Sequence, residues 1–102
     1  MTVEGVWNVY IDTPLGRQHA IVELFSVDGA LVGTATDVRS QEKVPLNGLT
    51  TRGDRVTWQQ SITRPMRLNL AFEVVITGDS LSGTAKPGRL PASTVTGRRV
   101  VD

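Results

Sequence analysis

The sequence predicts an all-β fold, an eight-stranded antiparallel up-and-down β-barrel that forms a single domain over residues 1–102. Three observations support this prediction. Apolar residues recur mostly with period two, in runs of about five to ten residues that end at Gly, Pro, Asp or Asn. The connections between these runs are short. No segment shows the apolar periodicity of a helix.

Each predicted strand ends at a turn signal, and the Asp28-Gly29 pair is the strongest hairpin signal in the chain. Pro45 weakens the fourth strand or marks an irregular edge, because proline cannot donate a hydrogen bond to a sheet. The sixth strand alternates most clearly, with Leu, Phe, Val and Ile on one face. The eight predicted strands cover residues 6–11, 17–26, 31–36, 43–49, 55–62, 67–76, 81–85 and 93–100.

The short connections favour sequential hairpins, because parallel strands need crossovers of a dozen or more residues. An open row of such hairpins would expose two sheet edges to other chains. Closing the sheet into a barrel removes both edges. A β-sandwich is the main alternative, but it usually requires longer crossover loops.

The composition excludes several classes of function. The 11 basic and 10 acidic residues give a net charge of +1 and are spread without a basic run, so nucleic acid is not expected as a partner. The absence of cysteine excludes disulfides and a thiol nucleophile. With only one histidine as well, a conventional zinc site is not expected. We therefore expect no metal and no cofactor.

The expected location is the cytoplasm, without membrane contact. A chain free of cysteine suits a reducing compartment. The N-terminal residues MTVEGVW lack the basic start and apolar centre of a signal peptide, and no apolar run approaches the roughly 20 residues of a membrane-spanning helix. We expect a soluble, unprocessed protein.

Two similar stretches, GALVGTATD at 29–37 and DSLSGTAKP at 79–87, lie half a chain apart. With a shift of one residue, the same alignment places Trp7 on Trp58, the two tryptophans of the chain. The match predicts a barrel of four plus four strands with internal pseudo-symmetry, although chance similarity between alternating strands is an alternative. Glycines inside strands mark bends or close approaches, so Gly33 and Gly83 are expected to make room for the tryptophans opposite them.

The two ends of the chain carry a family resemblance. Residues 5–7, Gly-Val-Trp, and residues 96–99, Thr-Gly-Arg-Arg, resemble the corresponding segments of the calycin superfamily, the lipocalins and their relatives. The resemblance implies that Trp7 seals one end of the barrel and that an arginine of the last strand packs across it. Arg99 is the expected partner because it shares a strand face with inward residues, and Arg98 is the alternative.

The whole pattern, from GVWNVYIDTPLG to VTGRRV, is also similar to small bacterial lipocalin-like domains that are largely uncharacterised. The DGALVGT stretch at 28–34 more weakly resembles avidin-like barrels. No matching set of polar ligand contacts surrounds it, so the resemblance does not extend to biotin binding.

The second strand has apolar residues on both faces, so its register is ambiguous. Counting from the Asp-Gly turn, as in the domains it resembles, places Glu23 and His19 on the inner face, with Glu23 buried. Desolvation would then raise the pKa of that carboxyl and suit it to acid–base chemistry. The other register puts Ala20, Val22 and Leu24 in the core, and a shift of one residue separates the two.

Three functions remain open. The first is a small-molecule-binding barrel for an apolar or aromatic ligand, and the second is a lyase, isomerase or cyclase that uses Glu23, assisted by His19. The third is a filled barrel that dimerises, because Asn8, Tyr10 and apolar residues of the second strand share the outer face. Met66 is interpreted as a packing residue. The predicted ligand contacts are Trp7, Trp58, Gln60, Phe72 and Arg99.

Overall fold

A computed structural model describes residues 3–13, 16–62 and 68–100. All regular elements in these ranges are strands, and no helix long and apolar enough to cross a membrane occurs among them. Met66 and parts of the predicted turns at 12–16 and 64–65 lie outside the described residues. The strands are β1 (Gly5–Thr13), β2 (Gly16–Val27), β3 (Ala30–Asp37), β4 (Lys43–Pro45), β5 (Asn47–Arg52), β6 (Arg55–Ile62), β7 (Leu68–Thr77), β8 (Ser80–Pro87) and β9 (Ser93–Arg99).

The strands form one antiparallel sheet that curves into a nearly closed barrel, as predicted. The sheet order is β4-β3-β2-β1-β9-β8-β7-β6-β5, so the first strand pairs with both the second and the last. Every other neighbour in this order is also a sequence neighbour, which agrees with the short connections. The prediction of antiparallel hairpins is confirmed.

The described residues contain nine strands where the sequence predicted eight. The predicted fourth strand divides at Leu46: β4 pairs with β3, while β5 pairs with β6. Pro45 lacks the N–H that a continuous ladder needs, and the β5–β6 register shifts between Asn47 and Thr50. Leu46 is buried and its N–H donates to Gly33 O at 3.0 Å, so it bridges the two ends of the sheet.

Alternation along the strands produces a single apolar core inside the barrel. The predicted inner face of β7 is buried at each of its described apolar positions. Asn8 and Tyr10 lie on the outer face of β1, as predicted, because their neighbours Trp7, Val9 and Ile11 are buried. The buried apolar residues are Trp7, Val9, Ile11, Val22, Leu24, Ala35, Leu46, Val56, Trp58, Leu70, Phe72, Val74, Ile76, Leu81, Ala85 and Val95.

The inner-face glycines permit close approach of neighbouring strands, as predicted, but the tryptophans are not among their nearest contacts. A Cβ at Gly33 would lie 2.6 Å from Glu23 O and 2.9 Å from Leu24 Cδ2. A Cβ at Gly83 would overlap the backbone of Glu73 on the neighbouring strand. The space beside these glycines is therefore filled by the adjacent strand, and not by Trp7 or Trp58 as expected. Their absent side chains allow strands to coil closely in a narrow barrel.

Replacing Gly83 with alanine should destabilise the fold by about 1–3 kcal/mol, because the added methyl group must displace the backbone of β7. Urea unfolding monitored by tryptophan fluorescence would measure the change. Ser82→Ala is the matched control, since Ser82 is exposed on the same strand. Equal stability of the two variants would show that the close approach at Gly83 has no energetic weight.

Candidate ligand-binding site

One end of the barrel is sealed by Trp7 and Arg99. Trp7 is fully buried, and its Nε1 donates a hydrogen bond to Val3 O at 3.2 Å. Arg99 faces Trp7 across the β1–β9 ladder, and its guanidinium carbon lies 4.3 Å from the centre of the indole. A cation over an indole face is attracted by the quadrupole of the ring. The predicted packing of Arg99 on Trp7 is confirmed at this position, which we call the closed end.

The Arg99 guanidinium is also held by polar partners. Its Nε donates to Asp79 Oδ1 at 2.9 Å, and its terminal nitrogens donate to the backbone oxygens of Glu4 and Gly78. The alternative partner, Arg98, instead lies exposed on the outer face and donates to Ser80 Oγ at 3.3 Å. Arg99 therefore closes the barrel, and its N–H groups donate hydrogen bonds to acceptors within this chain.

Arg99→Gln should lower the free energy of unfolding by about 2 kcal/mol, because it removes the cation–π contact and a partly buried set of hydrogen bonds. Arg98→Gln, one residue away, should change it by less than about 0.5 kcal/mol, as is usual for exposed sites. Thermal unfolding followed by circular dichroism compares the two. A larger loss in Arg98→Gln would contradict the assignment of Arg99 as the residue that seals the closed end.

The middle of the barrel contains an aromatic pair joined to an amide. Trp58 and Phe72 face each other across β6 and β7, and their rings stack with centroids 4.9 Å apart and planes at 9°. Trp58 Nε1 donates a hydrogen bond to Gln60 Oε1 at 3.2 Å. Gln60, two residues along the same strand face, is only 7% exposed. The two rings are buried inside the barrel. Gln60 is the next inward side chain along β6, in the direction away from the closed end.

A cavity of approximately 710 Å³ opens at that other end, which we call the open end. Its volume lies within the range of about 300–1,000 Å³ that is usual for small-molecule sites. The lining residues come from the ends of β1, β3 and β6 and from the starts of β2 and β7. Inward apolar side chains and two amides contribute to its wall: Ile11, Ala20, Ala35, Val44, Leu70, Gln18 and Gln60.

The predicted ligand contacts divide between the two ends. Gln60 lines the cavity, and Trp58 lies directly behind it through their hydrogen bond. Phe72 stacks on Trp58 in the interior, whereas Trp7 and Arg99 pack together at the closed end. The structure thus brings Trp58, Gln60 and Phe72 together, and it separates Trp7 and Arg99 from the cavity.

The rim of the cavity includes residues 38–42, the connection between β3 and β4, which we call the rim loop. Asp37 organises this loop: its Oδ1 accepts hydrogen bonds from the N–H groups of Arg39 and Ser40, at 2.8 and 3.1 Å. The loop is also fixed to β2, since Val38 N–H donates to His19 O at 3.1 Å. Sequence reasoning missed this loop, although an aspartate at a strand end is a recognised signal for such a turn.

Arg17 lies at the same rim and is paired on the outside of the barrel. Its Nε donates to Asp12 Oδ1 at 2.8 Å, and its guanidinium carbon lies 5.3 Å from the centre of the Tyr10 ring. The hydrogen bond from Arg17 lowers the pKa of Asp12 below its usual value. The Arg17 charge is therefore offset by a neighbouring carboxylate.

The structure overturns the register that placed Glu23 inside the barrel. Val22 and Leu24 are buried, while Glu23 between them is exposed. This is the other register considered for β2, and it avoids burying an unpaired carboxylate in an apolar interior, which is costly. Burial therefore gives no support to acid–base chemistry at Glu23.

His19 also lies on the outer face of β2. Its ring stacks on Tyr10, with centroids 4.4 Å apart, and its Nε2 hydrogen-bonds with Asn8 Oδ1 at 2.9 Å. These contacts half-bury the histidine against the outside of β1. His19 and Glu23 share the outer face, as expected for alternating positions; His19 is at the mouth of the cavity and is among its lining residues, although its ring packs on the outside of β1.

No protein-family model matches this chain, and no curated protein matches it. The geometry of the site is therefore the basis for a proposal of function.

Proposed function

We propose that this chain is a small-molecule-binding β-barrel that holds an apolar or aromatic ligand at its open end. The observation that carries the proposal is the cavity of approximately 710 Å³ with a largely apolar wall and the buried amide of Gln60. Small barrels either fill with side chains or hold one small ligand. Here both arrangements occur in one barrel, since the closed half is packed and the open half is not.

Apolar surface supplies the expected affinity. Ile11, Ala35, Val44 and Leu70 line the cavity, and covering such surface stabilises a complex by roughly 25 cal/mol per Å² before the cost of association. A flat hydrocarbon or aromatic ring suits these side chains. Gln60, the buried one of the two amides in the wall, then provides an oriented polar contact of the kind that gives many sites their specificity.

A large side chain that fills the cavity should weaken ligand binding. Ala20→Trp places an indole on the inner wall near the mouth, where Ala20 is half-buried, and should reduce the affinity for a small aromatic probe, the phenyl ketone butyrophenone, at least tenfold. Ala71→Trp is the control, because Ala71 is exposed beside a shallow outer recess of approximately 240 Å³. Calorimetric titration of both variants measures the effect.

Binding that survives Ala20→Trp but is lost in Ala71→Trp would place the ligand in the outer recess and contradict the proposal. Native mass spectrometry of the protein from its own host provides an independent test. It should detect a retained apolar molecule whose mass disappears in Ala20→Trp.

We also propose that the chain belongs with the calycin-like barrels. The support is Trp7 under Arg99 at the closed end, the arrangement that the resemblance implies. The proposed four-plus-four pseudo-symmetry has support in the corresponding positions of Trp7 and Trp58, each facing an inward residue on the following strand. A cytoplasmic location is a further proposal, supported by the absence of cysteine.

A second proposal is self-association through the outer face of β1 and β2. Phe25 and Val27 are 42% and 48% exposed there. Val6 and Val100 are also exposed apolar residues. They lie next to each other, since Val100 N–H donates to Val6 O at 2.7 Å. Exposed apolar surface of this kind favours an interface, and a second copy of this chain is the proposed occupant.

Phe25→Asp should then weaken the dimer by at least tenfold, because it places a charge in the apolar contact. Light scattering across a concentration series measures the dissociation constant. Val75→Asp changes an exposed valine on β7 and should leave it unaltered. A monomer at all concentrations in the unaltered protein would contradict this second proposal.

A further inference from the structure

The orientation of the Gln60 amide is fixed by its neighbour. The indole Nε1–H of Trp58 can only donate a hydrogen bond, so the atom of Gln60 that faces it must be the carbonyl oxygen. An isolated glutamine amide has two interchangeable orientations, but here the donor removes that ambiguity. The Nε2 amino group is therefore the part of the amide that does not face Trp58, and the side chain that carries it lines the cavity.

The N–H groups of this amino group are available as hydrogen-bond donors. Among the described residues no hydrogen bond uses Gln60 Nε2, although the side chain is only 7% exposed. No buried side-chain nitrogen or oxygen of the described residues lacks a hydrogen-bond partner, so this unpaired nitrogen must be accessible, and the cavity is the space that Gln60 lines. The oxygen of the same amide is already engaged by Trp58, so Gln60 presents donors to a ligand.

From this geometry we infer that the cavity selects apolar or aromatic molecules that carry an uncharged acceptor oxygen, such as a ketone or ester carbonyl, bound to Gln60 Nε2. The inference rests on the proposed function and specifies its ligand class. The apolar body lies against Ile11 and Leu70, and the oxygen points inward.

The charges at the rim favour an uncharged oxygen over a carboxylate. Arg17 is paired with Asp12, and the Asp37 carboxylate is held by the rim loop. Two arginines and two carboxylates line the cavity, Arg17 and Arg39 with Asp37 and Glu42, so the rim has no large excess of positive charge. A carboxylate buried against one neutral amide would lose its hydration without gaining a counter-ion, which is unfavourable.

A four-compound titration of the full chain tests the inference. The probes share a phenyl ring and a four-carbon chain: butylbenzene has no polar group, butyrophenone has a ketone, phenylbutanoate an anion and phenylbutylamine a cation. Butyrophenone should bind about fivefold to tenfold more tightly than butylbenzene, which is the effect of one buried hydrogen bond. Phenylbutanoate and phenylbutylamine should bind more weakly than butyrophenone.

Gln60→Met keeps the volume of the side chain and removes its donors. It should reduce butyrophenone affinity to that of butylbenzene and leave butylbenzene binding unchanged. Gln59→Met is the control, because Gln59 is exposed on the outer face of the same strand. In the unaltered protein, nuclear magnetic resonance should show the Gln60 side-chain amide signals moving with butyrophenone and much less with butylbenzene, which requires no variant to fold.

The outcomes separate the two proposals. Equal binding of butylbenzene and butyrophenone, with no effect of Gln60→Met, would overturn the acceptor-oxygen inference and leave the binding function intact. Tightest binding of phenylbutanoate or phenylbutylamine would also overturn it. Failure of all four probes to bind at millimolar concentration would contradict both proposals.

Discussion

The pairing of the first strand with the last is the contact on which the rest of the structure depends. It places the two chain ends side by side in the middle of the sheet, so that the strands curve round until only β4 and β5 remain as edges, with Leu46 between them. We call this β1–β9 pairing the seam. Arg99 lies at its end, where it covers Trp7 and donates to Asp79 and to the backbone oxygen of Glu4. With one end of the barrel packed in this way, the space for a ligand lies at the other end.

The seam and the cavity are connected through the layers of the core. Above the sealed end, Trp58 and Phe72 stack inside the barrel. Because the indole of Trp58 uses the carbonyl of Gln60, the amino group of the same side chain remains unpaired among the described residues. In the proposed function, a packing residue thus sets which polar atoms Gln60 offers to a ligand.

Local pattern was sufficient to predict most of the barrel. The alternation in β6 and the turn signals on either side of it reproduced its bounds, 55–62, because both are properties of neighbouring residues. The division at Leu46 could not be predicted, since it depends on which distant strands lie on each side.

Glu23 was ambiguous because β2 has apolar residues on both faces, and only the burial of Val22 and Leu24 decides the register. The position of Gln60 on an inner face was predictable, but the cavity beside it was not, because it results from inward side chains of several strands.

Intermolecular nuclear Overhauser effects with bound butyrophenone would show directly whether a ligand binds at the open end. Contacts are expected from the phenyl ring of the probe to the methyl groups of Ala35 and Leu70, and from its propyl chain to the Gln60 amide protons. Contacts confined to Phe25 and Val27 on the outer face, with none to the cavity wall, would rule out binding at the open end.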